Sequence, residues 1–153
     1  MKLRTEILPD EEEEIIIRAK KRDDKIRQIE LSLENILGLE GDMILEIDNT
    51  EYYVPKKDIL FFETSNGKVS AHTDSNMYYT DHKLYELEAM LPNYFMRVSK
   101  SCILNVLRIN SISRNLAGAS RVTFYDSDKA VYVSRSYYKP LKERIYNLRF
   151  STD

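Results

Sequence analysis

The sequence predicts a mainly β protein of the α+β class, in which a sandwich-like β domain with short helices follows a small strand-strand-helix module. From residue 42 onward, roughly eight short segments have the alternating or β-branched pattern of strands, and short turns separate them. Asn66-Gly67 joins two of these segments, and this dipeptide between two strands is the strongest short hairpin signal. All 11 Tyr and all 5 Phe lie at or after Tyr52, whereas residues 1–51 are rich in Glu, Lys and Ile.

The strands of the β domain are predicted by their apolar spacing and by the turn residues between them. They cover residues 43–47, 51–54, 58–64, 69–73, 77–80, 94–98, 109–113, 121–125 and 130–133. Two helices are predicted among them. The first covers about residues 82–91 and stops at Pro92, and the second covers about residues 136–148 with Leu141, Ile145 and Leu148 facing inward.

The first forty residues predict a separate small module, so the chain divides into residues 1–40 and residues 41–150. Alternating apolar residues at 3–7 and the β-branched run 15–17 indicate two strands. From Asp23 the apolar residues have helical spacing, and Asp23 or Asp24 can cap the start of the helix and Gly38 its end. A module this small cannot bury a core alone, so we expect it to dock on the rest of the chain or on a second copy, forming a homodimer.

The formal net charge of −2 conceals a strong asymmetry between the two parts of the chain. Residues 1–96 hold 12 Lys and Arg against 21 Asp and Glu, a net of −9. Residues 97–150 hold 11 Lys and Arg against 3 Asp and Glu, a net of +8. A basic segment of this size indicates binding to a polyanion, although solvated faces that pair with the acidic part would have the same composition.

Several classes of function find no support in the residues. The four glycines are isolated, and His72 and His82 lack the spacing of metal ligands, so we expect no enzyme, no metal, no cofactor and no small-molecule substrate. Cys102 lies in an apolar stretch and is interpreted as a buried small hydrophobe. With a single cysteine, no signal peptide and no membrane-spanning run, the expected location is the cytoplasm.

Four ordered blocks carry a family resemblance. They are residues 58–63 (DILFFE), 84–91 (LYELEAML), 95–109 (FMRVSKSCILNVLRI) and 133–137 (VSRSY). Together they closely resemble the LytTR family of bacterial DNA-binding domains, over about residues 42–150. The leading residues also look like the front end of short, stand-alone LytTR regulators without a receiver domain. Such members are typically encoded beside a small membrane protein that restrains them, so the resemblance implies an inhibitory membrane partner.

The resemblance implies an elongated β domain that reads double-stranded DNA through loops placed in successive major grooves. The corresponding loops are residues 65–68, 99–101 and 134–136. The expected DNA-binding residues are Asn66, Lys68, Ser99, Lys100, Ser101, Arg135 and Lys139. Because of this resemblance, sequence-specific contacts to DNA are expected in these loops.

The side chains in these loops have the chemistry that DNA requires. The planar fork of Arg135 matches the O6 and N7 acceptors of guanine, although a surface Arg can instead pair with a carboxylate. Lys100, Ser99 and Ser101 suit phosphate or groove contacts, and the serines can also cap a turn. Asn66 and Lys68 are expected to contact DNA phosphates. Lys139, one turn into the last helix, should reach the DNA backbone.

Other residues of the same motifs are interpreted as structural. We expect Asn105 to be buried and to satisfy backbone groups of a turn. For Arg97, a partly buried ion pair and a DNA contact are both open. Tyr137 and Tyr138 are expected to pack the last helix.

The sequence therefore predicts a sequence-specific transcriptional regulator that binds duplex DNA as a homodimer on repeated half-sites. The alternative is a protein-protein adaptor whose basic face binds an acidic partner or a membrane protein.

Overall fold

The computed structural model describes residues 1–37 and 41–150, which contain three α-helices and ten β-strands. Their order is α1 (Asp24–Leu37), β1 (Asp42–Ile47), β2 (Thr50–Pro55), β3 (Phe61–Ser65), β4 (Lys68–His72), β5 (Met77–Thr80), α2 (Leu84–Met90), β6 (Phe95–Ser99), β7 (Cys102–Asn105), β8 (Ile109–Ser113), β9 (Ser120–Phe124), β10 (Ala130–Val133) and α3 (Arg135–Ile145). Single 3-10 turns precede β3 and β8, and a π-helical turn (Tyr146–Phe150) continues α3. The mainly β, α+β class is confirmed.

Two antiparallel sheets form the β domain. The large sheet has the strand order β2-β1-β5-β4-β3-β7-β6, and the small sheet has the order β10-β9-β8. One buried cluster joins the large sheet to α2 and includes Leu45, Phe62 and Leu87. A second cluster joins the large sheet to the small sheet and α3, and includes Phe61, Phe124 and Leu141. The second cluster is therefore a single core that the two sheets and α3 share.

Tight turns with left-handed backbone define the first hairpins. Asp48 and Asn49 have φ of 48° and 64°, and Asn66 and Gly67 have φ of 52° and 76°. Two consecutive residues with positive φ are the signature of the hairpin turn that matches strand twist, which Asn and Gly favour. These turns fix the register in which Ser65 pairs with Lys68, as the Asn-Gly dipeptide predicts.

Strand β7 is the largest addition to the predicted elements. It lies between β3 and β6, and all four of its residues are buried. Because both faces of β7 are covered, its sequence has no polar alternation, and the pattern therefore gave no strand signal. Its neighbour β3 begins at Phe61 and not at Asp58, because residues 56–58 form a 3-10 turn.

The leading residues differ from the predicted strand-strand-helix module. Helix α1 is present, and Asp23 Oδ1 caps it by accepting the amide of Ile26 at 3.0 Å. The two strands predicted within residues 1–23 are wrong: the chain reverses where the amide of Glu11 donates to the carbonyl of Leu8 at 3.1 Å, and no strand forms. Two short segments without further strands to pair with are only marginally stable as a ribbon. Gly38, the predicted end of the helix, lies outside the described residues.

Candidate nucleic-acid interface

The three predicted loops meet at one end of the large sheet. Strand β3 runs antiparallel to both β4 and β7, so the β3–β4 and β6–β7 turns lie at the same end. The amide of Thr64 donates to the carbonyl of Ser101 at 2.8 Å, and the amide of Ser134 donates to the carbonyl of Val98 at 3.0 Å. These bonds tie residues 65–68, 99–101 and 134–136 into one surface, here called the turn surface.

The β3–β4 turn presents Asn66 and Lys68, both exposed. The Lys68 ammonium lies 5.8 Å from the centre of the Tyr79 ring on the neighbouring strand β5. A cation over an aromatic face is weakly attracted to it, so the ring biases where the ammonium points. The first turn therefore offers one amide and one positive charge to a ligand.

Arg97 stabilises the β6–β7 turn by hydrogen bonds to the backbone of the turn. Its Nε donates to the carbonyl of Ser99 at 2.8 Å, and its Nη2 donates to the carbonyl of Lys100 at 2.6 Å. Its Nη1 pairs with the carboxylate of Glu88. The partly buried ion pair, which is one of the two interpretations open for Arg97, is present. The turn leaves Lys100 and Ser101 exposed, and the Ser101 amide donates to Ser99 Oγ at 3.2 Å.

Helix α3 begins at the turn surface. The Ser134 hydroxyl donates to the carbonyl of Val98 at 3.1 Å and so anchors the helix start to β6. Arg135 and Lys139 are exposed, and the helical spacing places Lys142 on the same face. Leu141, on the opposite side, is fully buried. The helix thus presents a basic stripe to solvent while its apolar face holds it to the domain.

Two further arginines, which are outside the predicted DNA-binding residues, lie at this end. Ser113 and Arg121 pair across the β8–β9 hairpin, whose loop is next to the end of β10 and the start of α3. The Arg114 guanidinium lies 4.6 Å from the centre of the Tyr138 ring in α3. The position of a basic residue on each side of this loop was the signal available in the sequence.

Other basic residues of the +8 segment have structural partners. Lys129 Nζ donates to the carbonyl of Asn76 at 2.8 Å. Arg144 donates to the carbonyl of Asn93 at 2.7 Å, and Arg149 donates to that of Ile109 at 2.7 Å. The charge of the segment is therefore divided between contacts that hold the fold together and the side chains at the turn surface.

Asn105 and Cys102 have the structural roles predicted for them. Asn105 Nδ2 donates to the carbonyl of Ile59 at 3.0 Å, and its Oδ1 accepts the amide of Leu107 at 3.0 Å. Cys102 is buried, and burial raises the pKa of its thiol to about 12, so the thiol is neutral and unreactive. Within residues 1–37 and 41–150, no group of His, Cys, Asp and Glu side chains has the arrangement of a metal site.

Comparison with known proteins gives the family. Residues 49–146 match the LytTr DNA-binding domain, and this segment contains all three loops of the turn surface. The chain belongs to the LytTR family. A structure search agrees on the fold: the LytTr DNA-binding domain of a Bacillus cereus protein, described as a methyl-accepting/DNA response regulator, superposes with a TM-score of 0.63. That similarity has 22% identity and covers 69% of this chain and 96% of the other.

Relatives of this LytTR chain extend beyond the matched domain. One from Staphylococcus aureus strain NCTC 8325 is 33% identical over 146 residues, which is 95% of this chain and 98% of the relative. Another from strain MRSA252 is 32% identical over the same shares. Both are named as uncharacterized HTH-type transcriptional regulators. In the described residues of this LytTR chain, strands separate every pair of helices, so no helix-turn-helix is present there. Nor does any of those helices have the length and apolar character needed to cross a membrane.

Proposed function

We propose that this LytTR protein is a transcriptional regulator that binds duplex DNA sequence-specifically through the turn surface. The observation that carries the proposal is the convergence of three turns at one end of the sheet, each with exposed polar or cationic side chains. Specific readers of DNA combine phosphate contacts, which position the protein, with a few side chains that read base edges. The turn surface offers both kinds of group from a rigid scaffold.

Arg135 is the proposed base-reading residue. It is exposed at the first position of α3, and the bonds from Ser134 to Val98 fix the start of that helix. A guanidinium can donate two hydrogen bonds to guanine O6 and N7, the commonest specific contact in the major groove. Its placement on an anchored helix end limits the directions in which the fork can point.

Two lysines of α3 and the remaining residues of the turn surface are proposed to hold the DNA backbone. Lys139, and with it Lys142, lies on the exposed stripe of α3. Lys68, Asn66 and Lys100 extend from the two hairpin turns, and Ser99 and Ser101 add hydroxyl groups. Each phosphate neutralised releases condensed counterions, so affinity should fall steeply as salt rises.

We further propose that the protein binds repeated half-sites as a homodimer formed by residues 1–37. Several apolar side chains there are exposed, among them Leu3, Ile7, Ile15, Ile16 and Ile36. Burial of these side chains against a second copy would remove apolar surface from water, which favours association. A two-fold dimer would read two copies of one short sequence.

The test is selection of bound sequences from random duplex DNA by the full-length protein, followed by a hydroxyl-radical footprint. We expect enrichment of a repeated motif and protection of one face of the duplex at two sites. The selected duplex should be retained at salt concentrations that release random DNA. Enrichment of no sequence, together with retention of an acidic protein or of anionic vesicles, would favour the adaptor function instead.

A further inference from the structure

Residues 114–121, here called the β8–β9 loop, comprise the connection 114–119 and the first two residues of β9, and they have a defined shape although they lie on the surface. The Asn115 side chain accepts the amide of Ala117 at 3.0 Å, and the carbonyl of Asn115 accepts the amide of Gly118 at 3.4 Å. The amide of Asn115 donates to Ser120 Oγ at 3.1 Å and closes the base of the loop. A loop whose own polar groups satisfy one another keeps its shape without a ligand.

This loop lies beside the turn surface. Ser120 pairs with Val133, the last residue of β10, directly before the start of α3. The contact between the Arg114 guanidinium and the Tyr138 ring then holds the start of the loop against the first turns of α3. The loop is consequently next to the helix end that presents Arg135, on the side away from the large sheet.

Within residues 1–37 and 41–150, neither arginine of this segment has an acidic partner. Arg114 and Arg121 are both exposed, and neither takes part in a salt bridge with any residue in the described part of the chain. The Arg114 guanidinium lies over the Tyr138 ring, 4.6 Å from its centre, and a guanidinium in such a contact keeps N–H groups that can donate to a ligand. Two guanidinium groups without a salt bridge, one at each end of the same short segment, favour a ligand with repeated negative charge.

The tip of the loop is apolar. Leu116 is 75% exposed, a high value for a large aliphatic side chain on a loop whose polar groups bond one another. An apolar side chain flanked by arginines suits the floor and sugar edges of a DNA groove, where it displaces water while the cations hold the phosphates on either side. On a loop that contacted only solvent, the exposed Leu116 side chain would have no such contact to make.

We propose that residues 114–121 form a fourth DNA-contacting element. In it Arg114 and Arg121 bind phosphates, and Leu116 contacts the groove beside the segment that α3 reads. The inference rests on the proposed function, because it assumes that the turn surface faces duplex DNA. It adds a DNA contact outside the three loops, and it gives Tyr138 the role of positioning Arg114.

The test measures the affinity of full-length variants for the selected duplex at about 50 mM and about 200 mM salt. Removing one phosphate contact should shrink the ratio of the two affinities about three- to fourfold, since each contact contributes about 0.9 to the logarithmic salt slope. We expect this for Arg114→Ala and for Arg121→Ala. Arg114→Lys keeps the charge and should keep a slope near that of the parent. Leu116→Ala should weaken binding without changing the slope.

Lys57→Ala is the matched control, because it removes one exposed positive charge at the opposite end of the large sheet. Its salt slope should equal that of the parent. If Arg114→Ala and Arg121→Ala also keep the slope of the parent, the fourth element is wrong. In that case a loss of site preference in Arg135→Ala would leave the proposed function standing. A parent protein that retains no duplex DNA would overturn both.

Discussion

Arg97 and Lys100 are joined by a hydrogen bond of 2.6 Å from the guanidinium of the first to the carbonyl oxygen of the second. The same guanidinium also bonds the carbonyl of Ser99 and pairs with Glu88 in α2. The Nε, Nη1 and Nη2 groups of this motif arginine therefore all bond within the protein, two of them to the backbone of the turn. Lys100 is presented to solvent because Arg97 holds the turn from behind.

Replacement of Arg97 should therefore reduce specificity more than it reduces general DNA affinity. In Arg97→Lys the positive charge remains, but an ammonium cannot span both carbonyls and the Glu88 carboxylate with the geometry of a guanidinium. We expect a loss of about 1 kcal/mol in the free energy of unfolding, because the Arg97 side chain is still 23% exposed. The ratio of affinities for selected and random duplex should fall.

The control for Arg97 is Glu88→Gln, which removes the exposed partner and leaves both turn carbonyls bonded. It should keep the specificity ratio of the parent. A parent-like ratio in Arg97→Lys would show that the order of the turn does not matter for reading DNA.

Arg135 and Lys139 should respond differently to truncation, although each carries one positive charge on the same face of α3. Arg135→Ala is expected to cost about 1–3 kcal/mol of binding free energy and to flatten preference at one base pair. Lys139→Ala should weaken binding to all duplexes alike and reduce the salt slope by about one. Titration of the selected duplex and its single-base variants distinguishes the two. Equal losses on every duplex for both variants would contradict the assignment of Arg135 as a reader.

Self-association can be tested with two isoleucines of nearly equal exposure. Ile16, in the leading segment, is 58% exposed, and Ile44, on the outer face of β1, is 56% exposed. We expect the parent to sediment as a dimer at micromolar concentration, and Ile16→Lys to shift it toward monomer, because a charge would be placed in an apolar contact. Ile44→Lys should remain dimeric. A monomeric parent, or dissociation by Ile44→Lys alone, would count against a dimer formed by residues 1–37.

Local signals in the sequence predicted most of the elements of this fold. The turns at Asn49 and Asn66 are formed by residues that tolerate positive φ, so the local sequence is enough to predict these hairpins. Helix α1 was predicted from apolar spacing and from a cap at Asp23 or Asp24, of which Asp23 forms the cap. The position of the three loops at one end of the sheet depended on the family resemblance, because no local pattern states which strands pair.

Features that depend on distant partners were not visible in the sequence. Strand β7 is buried on both faces, and its identity as a strand comes from its position between β3 and β6. The apolar alternation in residues 3–7 predicted a strand, but no strand in the described part of the chain pairs with it. The roles of Lys129 and Arg149 also depend on carbonyls far along the chain, so total charge overestimated the number of cations available to DNA.

Asn105 should be among the most sensitive polar positions for stability. It is buried, and it bonds the carbonyl of Ile59 and the amide of Leu107. Asn105→Ala leaves these groups without their partner, and we expect a loss of about 2 kcal/mol in the free energy of unfolding measured with urea. Asn110→Ala, at an exposed position of β8, should change it by less than about 0.5 kcal/mol. Similar midpoints for the two variants would show that water replaces the lost bonds.

His72 should make stability depend on pH below neutrality. Its ring stacks on Phe61 with centroids 4.3 Å apart, its Nε2 lies 3.0 Å from Ser70 Oγ, and the Lys129 ammonium lies 3.4 Å from its Nδ1. Burial, and to a lesser extent the Lys129 charge, lowers the pKa of His72 from 6.5 to about 4. The imidazole is therefore neutral in the folded protein across the physiological range.

The sign of the effect follows from proton binding. Between about pH 6.5 and about pH 4 the unfolded chain binds a proton at this residue that the folded protein does not bind. The contribution of His72 is thus fully present above pH 6.5 and is lost as the pH falls toward 4. Urea unfolding of the parent at intervals across this window should show declining stability. His72→Gln should show a shallower decline than the parent. A decline of equal steepness in the parent and His72→Gln would assign the pH dependence to other groups.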